Sequence, residues 1–271
     1  MDIRLLLIDP QEDFCNKDWG SLYVPGADLD MIRVATMVQR LNKKINRIHT
    51  TLDQHHSMAI FHPMFWVNSN GKNPDPFTLI SVDDVKNGTW KTTHPSLQSY
   101  GSEYVQTLEA NNRYVLCVWP PHCLIGTPGS NVVPEVSKAF IDWERDNFKM
   151  VEFVSKGSNF KTEHYSAVRA EVPDPTDPTT NLNTPFINTL EEADIILTGG
   201  EALTHCWMNT IRDIVSEFDE SNIKKFIFLE DASSSVPGFE KEGEEFVHEM
   251  IGKGMQVSTT DKVLINLKLI V

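Results

Sequence analysis

Apolar residues in this chain fall into short bunched runs, which alternate with longer stretches where they recur every three or four positions. The bunched runs are Arg4–Ile8, Ile45–Thr51, Tyr114–Trp119, Met150–Val154, Ile195–Thr198 and Phe226–Leu229. They predict six β-strands, because branched and aromatic residues crowd together and then stop at polar or proline positions. A seventh run, Gln256–Ser258, leads into the apolar segment Val263–Val271. Between the runs the spacing is helical. Met31, Val34, Ala35, Val38 and Leu41 share one face of Asp30–Leu41, with Asp28 or Asp30 as the N-cap. Glu135–Asn147, Thr204–Phe218 and Lys241–Lys253 repeat the pattern, as with Val136, Ala139, Phe140 and Trp143 in the first of them. Alternating strands and helices imply parallel pairing through right-handed crossovers. The expected fold is therefore α/β: three α/β/α layers around a mostly parallel, doubly wound six-stranded sheet in the order 3-2-1-4-5-6.

Two stretches interrupt the alternation. Residues 64–111 are rich in Pro, Asn, Gly and Asp, with helix expected only near Ser96–Ala110. Residues 171–185 carry Pro173, Pro175, Pro178 and Pro185, which rule out regular helix. Both read as long insertions in one domain spanning 1–271, of the kind that form lids, binding loops or oligomer contacts.

Bulk charge narrows the function. Thirty-eight acidic against 24 basic residues give a net charge of −14. Such a surface repels nucleic acid, and no basic cluster offsets it. No apolar run reaches the length of a membrane span. Cys15, Cys117, Cys123 and Cys206 lack the paired spacings of zinc fingers or redox motifs, which suits free thiols in a reducing compartment. The expectation is a cytoplasmic protein that acts on a small molecule, contacts neither membrane nor nucleic acid, and forms a homo-oligomer.

The chemistry collects where the expected strands end, and in α/β sheets ligands bind at that rim. Asp9 closes the first strand, Asp53 and His55 the second, and His122 the third within Trp119-Pro120-Pro121-His122-Cys123. Lys156 follows the fourth, and Cys206 follows the fifth after Gly199-Gly200. In the expected strand order Asp9 and Lys156 flank the switch point, with Cys206 one strand beyond. Cys206 at a helix start, near a lysine cation, reads as a nucleophile with a lowered pKa, and a carboxylate is at hand to take its proton. Asp53 and His55, two apart in extended chain, point the same way and with His122 can hold one metal ion. His62 is a possible fourth ligand. Zinc, iron and manganese all suit an Asp-His-His set, with zinc the first choice. His49, His94, His164 and His248 are read as ordinary surface or core histidines.

Ile8-Asp9-x-Gln11-x-Asp13-Phe14, Gly20-Ser21-Leu22 with Val24-Pro25-Gly26, Asp53-x-His55, Trp119 to Gly129, Lys156-Gly157 and Thr204-His205-Cys206 occur in this order. Together they resemble nicotinamidase/pyrazinamidase, a family of the isochorismatase-like cysteine hydrolases. The resemblance implies the isochorismatase-like hydrolase fold and an enzyme that converts nicotinamide to nicotinate and ammonia in NAD salvage. By the same resemblance Asp9 carries the proton, Lys156 holds Asp9 and favours the thiolate, and Cys206 forms a thioester. The oxyanion falls to the N–H groups of Ala202 and Cys206, with a cis peptide between Glu201 and Ala202. The metal on Asp53, His55 and His122 holds the pyridine nitrogen, and Phe14 and Trp119 line the ring slot. Three departures keep a second substrate class open, another small amide or ureide. Gln54 stands where the family carries Trp. Phe61 occupies the fourth-ligand position, with His62 one residue further. The two insertions could also reshape the pocket mouth.

Overall fold

Six strands pair in parallel: β1 (Ile3–Ile8), β2 (Arg47–Asp53), β3 (Glu152–Lys156), β4 (Ile195–Gly200), β5 (Phe226–Leu229) and β6 (Gln256–Ser258). Their spatial order is β6-β5-β4-β1-β2-β3, and every neighbouring pair is parallel. The longer helices are α1 (Ala27–Leu41), α2 (Gln98–Ala110), α3 (Pro134–Asn147), α4 (Thr184–Glu191), α5 (Met208–Glu217) and α6 (Glu240–Gly252). This computed structural model describes residues 1–111 and 114–265; the predicted apolar segment at Val263–Val271 lies mostly outside them.

The three layers follow from the period of two in β1. Ile3, Leu5 and Leu7 face a core shared with α1 and α3, through residues such as Met31, Val34, Phe140 and Trp143. Leu6 and Ile8 face the opposite core, built with α4, α5 and α6 from Ile187, Trp207, Ile211 and Phe246. A strand buried on both faces reads as an unbroken apolar run, as β1 does.

The strand order has the expected form, but one occupant differs. Tyr114–Trp119 is not in the main sheet. Only Leu116–Cys117 is extended there, and it pairs antiparallel with Leu79–Ile80. Its apolar side chains belong to a third cluster with Phe61, Trp66, Tyr104 and Leu108, so the first insertion packs a small core of its own. The fourth predicted strand, seen at β3, takes the vacated edge beside β2, and the seventh run becomes β6. The switch point therefore lies between β1 and β4.

Local boundaries shift for identifiable reasons. α1 begins at Ala27, capped by Gly26 at φ 102°, so neither Asp28 nor Asp30 is the N-cap. Asp30 instead pairs with Arg33 at 2.5 Å and accepts from the Ser234 hydroxyl at 2.6 Å. The expected helix Thr204–Phe218 is split into a π-helical turn, Leu203–Trp207, and α5. No helix of the described residues is long and apolar enough to cross a membrane.

Candidate active site

Asp9 follows directly on β1 with φ 40° and is fully buried. Thr51 on the adjacent β2 fixes it: the Thr51 hydroxyl donates to Asp9 Oδ1 at 2.5 Å and accepts from the Asp9 N–H at 3.0 Å. Asp53 ends β2 and is registered against Lys156 at the end of β3. The lysine ammonium lies 2.5 Å from Asp53 Oδ1, 3.0 Å from Asp9 Oδ2 and 3.5 Å from Cys206 Sγ, and donates to the His164 carbonyl at 2.9 Å. Oxygen and sulfur atoms of Asp9, Asp53 and Cys206 all lie within 4.8 Å of one another. The three predicted groups thus meet, by a different route. Asp9 and Cys206 flank the switch point, while Lys156 reaches in from the sheet edge across the end of β2.

Burial and the single cation set the charges. Burial would raise the Asp53 pKa, but His55 and Lys156 outweigh it and hold this carboxyl well below the usual range. Burial would likewise lower the Lys156 pKa, yet Asp53, Asp9 and Cys206 raise it well above the ordinary lysine value. Lys156 and Asp53 therefore form a fixed ion pair. Asp9 is raised, chiefly by burial, with Lys156 pulling the other way and Asp53 adding to the rise. Burial also pushes the Cys206 thiol well above its usual value despite Lys156. This reverses the expected lowering: the sulfur is buried in the π-helical turn, and desolvation outweighs the nearby ammonium. The resting sulfur is a thiol beside a carboxylate of raised basicity.

Asp53 also belongs to a second set. Its carboxylate and the ring nitrogens of His55 and His122 come within 4.8 Å of one another, all three residues being buried. His55 Nε2 is 3.2 Å and His122 Nε2 4.0 Å from Asp53 Oδ2. His55 Nδ1 faces the Gly157 carbonyl at 3.0 Å and His122 Nδ1 faces the Pro120 carbonyl at 2.8 Å. Those carbonyls fix each tautomer, leaving the two Nε2 lone pairs directed at the site. His55 Nε2 is buried without a hydrogen-bond partner, which is the orphaned acceptor a metal ion would satisfy. One carboxylate and two imidazoles fit a divalent ion. His62 lies outside this tight group, though its ring stands 5.8 Å from His55 and 5.5 Å from His122. Its Nδ1 faces the His56 carbonyl and its Nε2 is also a buried orphan. Gly157 is required where it stands: at φ +80° a Cβ would come 2.4 Å from His55 Cε1.

A small pocket of about 30 Å³ lies over both sets. Phe14 and Trp119 line it, along with Asp53, His122, Ala202 and Cys206. The Glu201–Ala202 peptide is cis, and the Ala202 N–H has no partner among the described residues. Residues 171–185 do not line the pocket. Asp174 and Asp177 instead hold Asn159, and Asp174 also holds Lys161, on the loop behind the pocket.

Four contributors carried no assigned role in the sequence. Glu163, Tyr165 and His205 line the pocket. Burial pushes the Glu163 carboxyl up to about 7, and Tyr165 accepts the Trp119 indole N–H at 3.0 Å. The Gln11 amide holds the Asp53 backbone from both sides, donating to its carbonyl and accepting from its N–H, each at 2.7 Å. Gln11 stands in the Asp9-x-Gln11-x-Asp13 run, and that placement was the available signal; Glu163 and Tyr165 sit in a loop of unremarkable composition.

No protein-family model and no curated protein matches this sequence. Solved structures do match in fold. The yeast nicotinamidase superposes with a TM-score of 0.63 at 19% identity, over 94% of this chain and 98% of its own. A nicotinamidase/pyrazinamidase from Acinetobacter baumanii gives 0.61 at 19% identity, over 97% and 98%. The Pyrococcus horikoshii pyrazinamidase, solved with zinc, gives 0.54 at 17% identity, over 96% and 99%. The chain has the three-layer α/β/α fold of these structures.

Proposed function

We propose that this chain is a metal-dependent cysteine amidase that hydrolyses nicotinamide to nicotinate and ammonia, a reaction of NAD salvage. One observation carries the reading: a single buried ammonium, Lys156, touches Asp9, Cys206 and Asp53, and Asp53 is also a member of the histidine set. Asp53 so links the nucleophile to an orienting site, beneath a pocket walled in part by Phe14 and Trp119. The neighbours' names, nicotinamidase and pyrazinamidase, support the same chemistry.

Asp53, His55 and His122 would hold the ion, with His62 next to them. Zinc is favoured by the donor set, with iron and manganese as alternatives. When bound, the ion supplies a Lewis-acidic position for a ring nitrogen and so orients the carboxamide.

The chain's own residues carry the proton and bond changes. Asp9, whose raised pKa suits a general base, takes the Cys206 proton. The sulfur then attacks the carboxamide carbon, and the N–H groups of Ala202 and Cys206 receive the oxyanion. Lys156 offsets the negative charge on Asp53 and on the developing thiolate. Asp9 returns its proton to the amide nitrogen, the C–N bond breaks and ammonia departs, leaving a thioester. Asp9 then takes a proton from water, hydroxide adds to the thioester carbon, and the C–S bond breaks to release nicotinate. Asp9 gives the proton back to sulfur, which restores the starting state.

Ammonia release from nicotinamide by the purified protein tests this directly. The expected result is turnover that falls on chelation and returns with zinc or manganese. No release, from protein whose Cys206 still alkylates, would move the reaction to another small amide or ureide.

A further inference from the structure

We propose that Glu201 is a positioning residue for the oxyanion: its side chain, through Ser234, braces the turn that presents the Ala202 N–H. The inference rests on the amidase reading, in which that N–H receives the oxyanion. Glu201 directly follows β4, is fully buried and does not line the catalytic pocket. Its backbone N–H donates to the Ile8 carbonyl at 2.8 Å, next to Asp9. Its side-chain Oε2 accepts the Ser234 N–H at 3.1 Å, and the Ser234 carbonyl accepts the Leu203 N–H at 2.8 Å. The residues on either side of Ala202 are thus tied to one residue of the loop after β5. The Ala202 carbonyl is held as well, accepting the N–H groups of His205 and Trp207 at 3.1 Å each. With both neighbours and its own carbonyl fixed, Ala202 presents its N–H at one place, as a preorganised oxyanion donor requires.

Ser234 is anchored in turn from α1. Its hydroxyl donates to Asp30 Oδ2 at 2.6 Å, Asp30 pairs with Arg33 at 2.5 Å, and Arg33 donates to the Asp231 carbonyl at 2.6 Å. The fit is close: a Cβ on Gly26, at the start of α1, would come 2.7 Å from the Ser234 hydroxyl oxygen. Glu201 Oε1 is buried, and no donor reaches it among the described residues. Burial, and then the Asp30 carboxylate, push the Glu201 carboxyl well above its ordinary value. A neutral acid accounts for both facts, since its O–H can donate to Asp30 while Oε2 still accepts from Ser234. The brace therefore works through hydrogen bonds and shape rather than charge. A side-chain amide offers the same pair of bonds, and an apolar side chain offers neither.

Two reagents applied to Cys206 of the full chain separate positioning from folding. p-Nitrophenyl acetate acylates the sulfur through a tetrahedral oxyanion and releases p-nitrophenolate. Iodoacetamide alkylates it by displacing iodide, with no oxyanion. Each rate is read as Cys206 labelling by mass spectrometry. Glu201→Leu should slow acylation about tenfold or more and leave alkylation within about twofold of wild type. Its kcat for nicotinamide should fall by a similar factor with KM little changed. Glu201→Gln should recover most of the lost acylation, because its amide can accept from Ser234 and donate to Asp30. Ser234→Ala, which loses only the bond to Asp30, should show a smaller split of the same kind, and serves if Glu201→Leu does not fold. The proposal is overturned if no folded Glu201 or Ser234 variant changes the ratio of the two rates, or if both rates fall together. It is also overturned if Glu201→Gln is as slow as Glu201→Leu. A wild type that releases no ammonia from nicotinamide, while Glu201→Leu still splits the two rates, would remove the substrate and keep the brace.

Discussion

The floor and the wall of the pocket are built on different physics. The floor is Asp9, Asp53, Lys156 and Cys206: ionisable groups at or just beyond the ends of four neighbouring strands, tied by one ammonium. The wall is Phe14, Trp119, Tyr165 and His205, whose rings meet the pocket from the short helix Glu12–Cys15, from loops and from the π-helical turn. In the floor each charge exists because its neighbours do, so removing one member changes every other. In the wall each ring contributes contact and orientation, and a lost ring is a graded loss. Mutations should therefore fall into two classes, all-or-none below and proportionate above.

The largest expected effect is on the floor. Cys206→Ala should lower nicotinamide turnover by about 10⁴-fold or more, because no other group can form the thioester. Nicotinamide binding, read by calorimetry, should survive, since the orienting set is untouched. Turnover near wild type would show that the floor is not the reacting part. Lys156→Met should be nearly as severe for turnover and should also destabilise the fold. It leaves two buried carboxylates uncompensated, a change that costs about 3–5 kcal/mol in buried ion pairs. Chemical denaturation measures it. A loss as small as that of a wall variant would collapse the distinction.

Gly157 tests the seam between the two regions. A Cβ there would run into His55, so Gly157→Ala should displace the ring that Asp53 shares. Metal affinity, read by competition with a chromogenic chelator, should fall about 10- to 100-fold, the range seen when a ligand's support is disturbed. Unchanged affinity would mean that His55 is not a ligand.

How legible each region was in the sequence follows from the same contrast. β1, β4 and β5 sit in the sheet interior and bury both faces, so their apolar runs stand out. The edge strand was placed two residues early, because its reading leaned on Met150, an apolar residue that points to solvent. Tyr114–Trp119 looked like a sheet strand because Leu116, Val118 and Trp119 are buried, but they are buried in the insertion's own core. Periodicity reports burial and is silent on which core does the burying. The floor residues were readable because each ends a recognisable strand or opens the turn after one. Their order across the rim was not, since Lys156 reaches Asp9 over an intervening strand. Tyr165 and Glu163 gave no signal at all, because loop residues carry no period.

A wall variant should show the graded class. Trp119→Phe keeps an aromatic face but loses the indole N–H bond to Tyr165. The expected result is a rise in KM for nicotinamide of about tenfold, equivalent to about 1.4 kcal/mol, with kcat within a few-fold of wild type. A collapse of kcat would place Trp119 with the floor.

The smallest effect is a pH dependence of stability that comes from the wall alone. His205 is pushed down to about 4 by burial, with no charged partner contributing, whereas an unfolded histidine titrates near 6.5. As pH falls below about 6.5, the unfolded chain binds a proton that the folded chain refuses, so stability falls until about pH 4 and is then level. His205→Phe removes this contribution while keeping a ring among Trp119, Tyr165 and Phe239. At pH 8 the variant and the wild type should differ only by packing. At pH 6 the variant should gain about 0.8 kcal/mol relative to that difference, measured by denaturant titration at both pH values. His164 is held near 4 by burial and then by Lys156, so its replacement should disturb the floor as well and cost turnover. If His205→Phe shows no relief at pH 6, the imidazole is charged in the folded protein and the wall is not the apolar surface described.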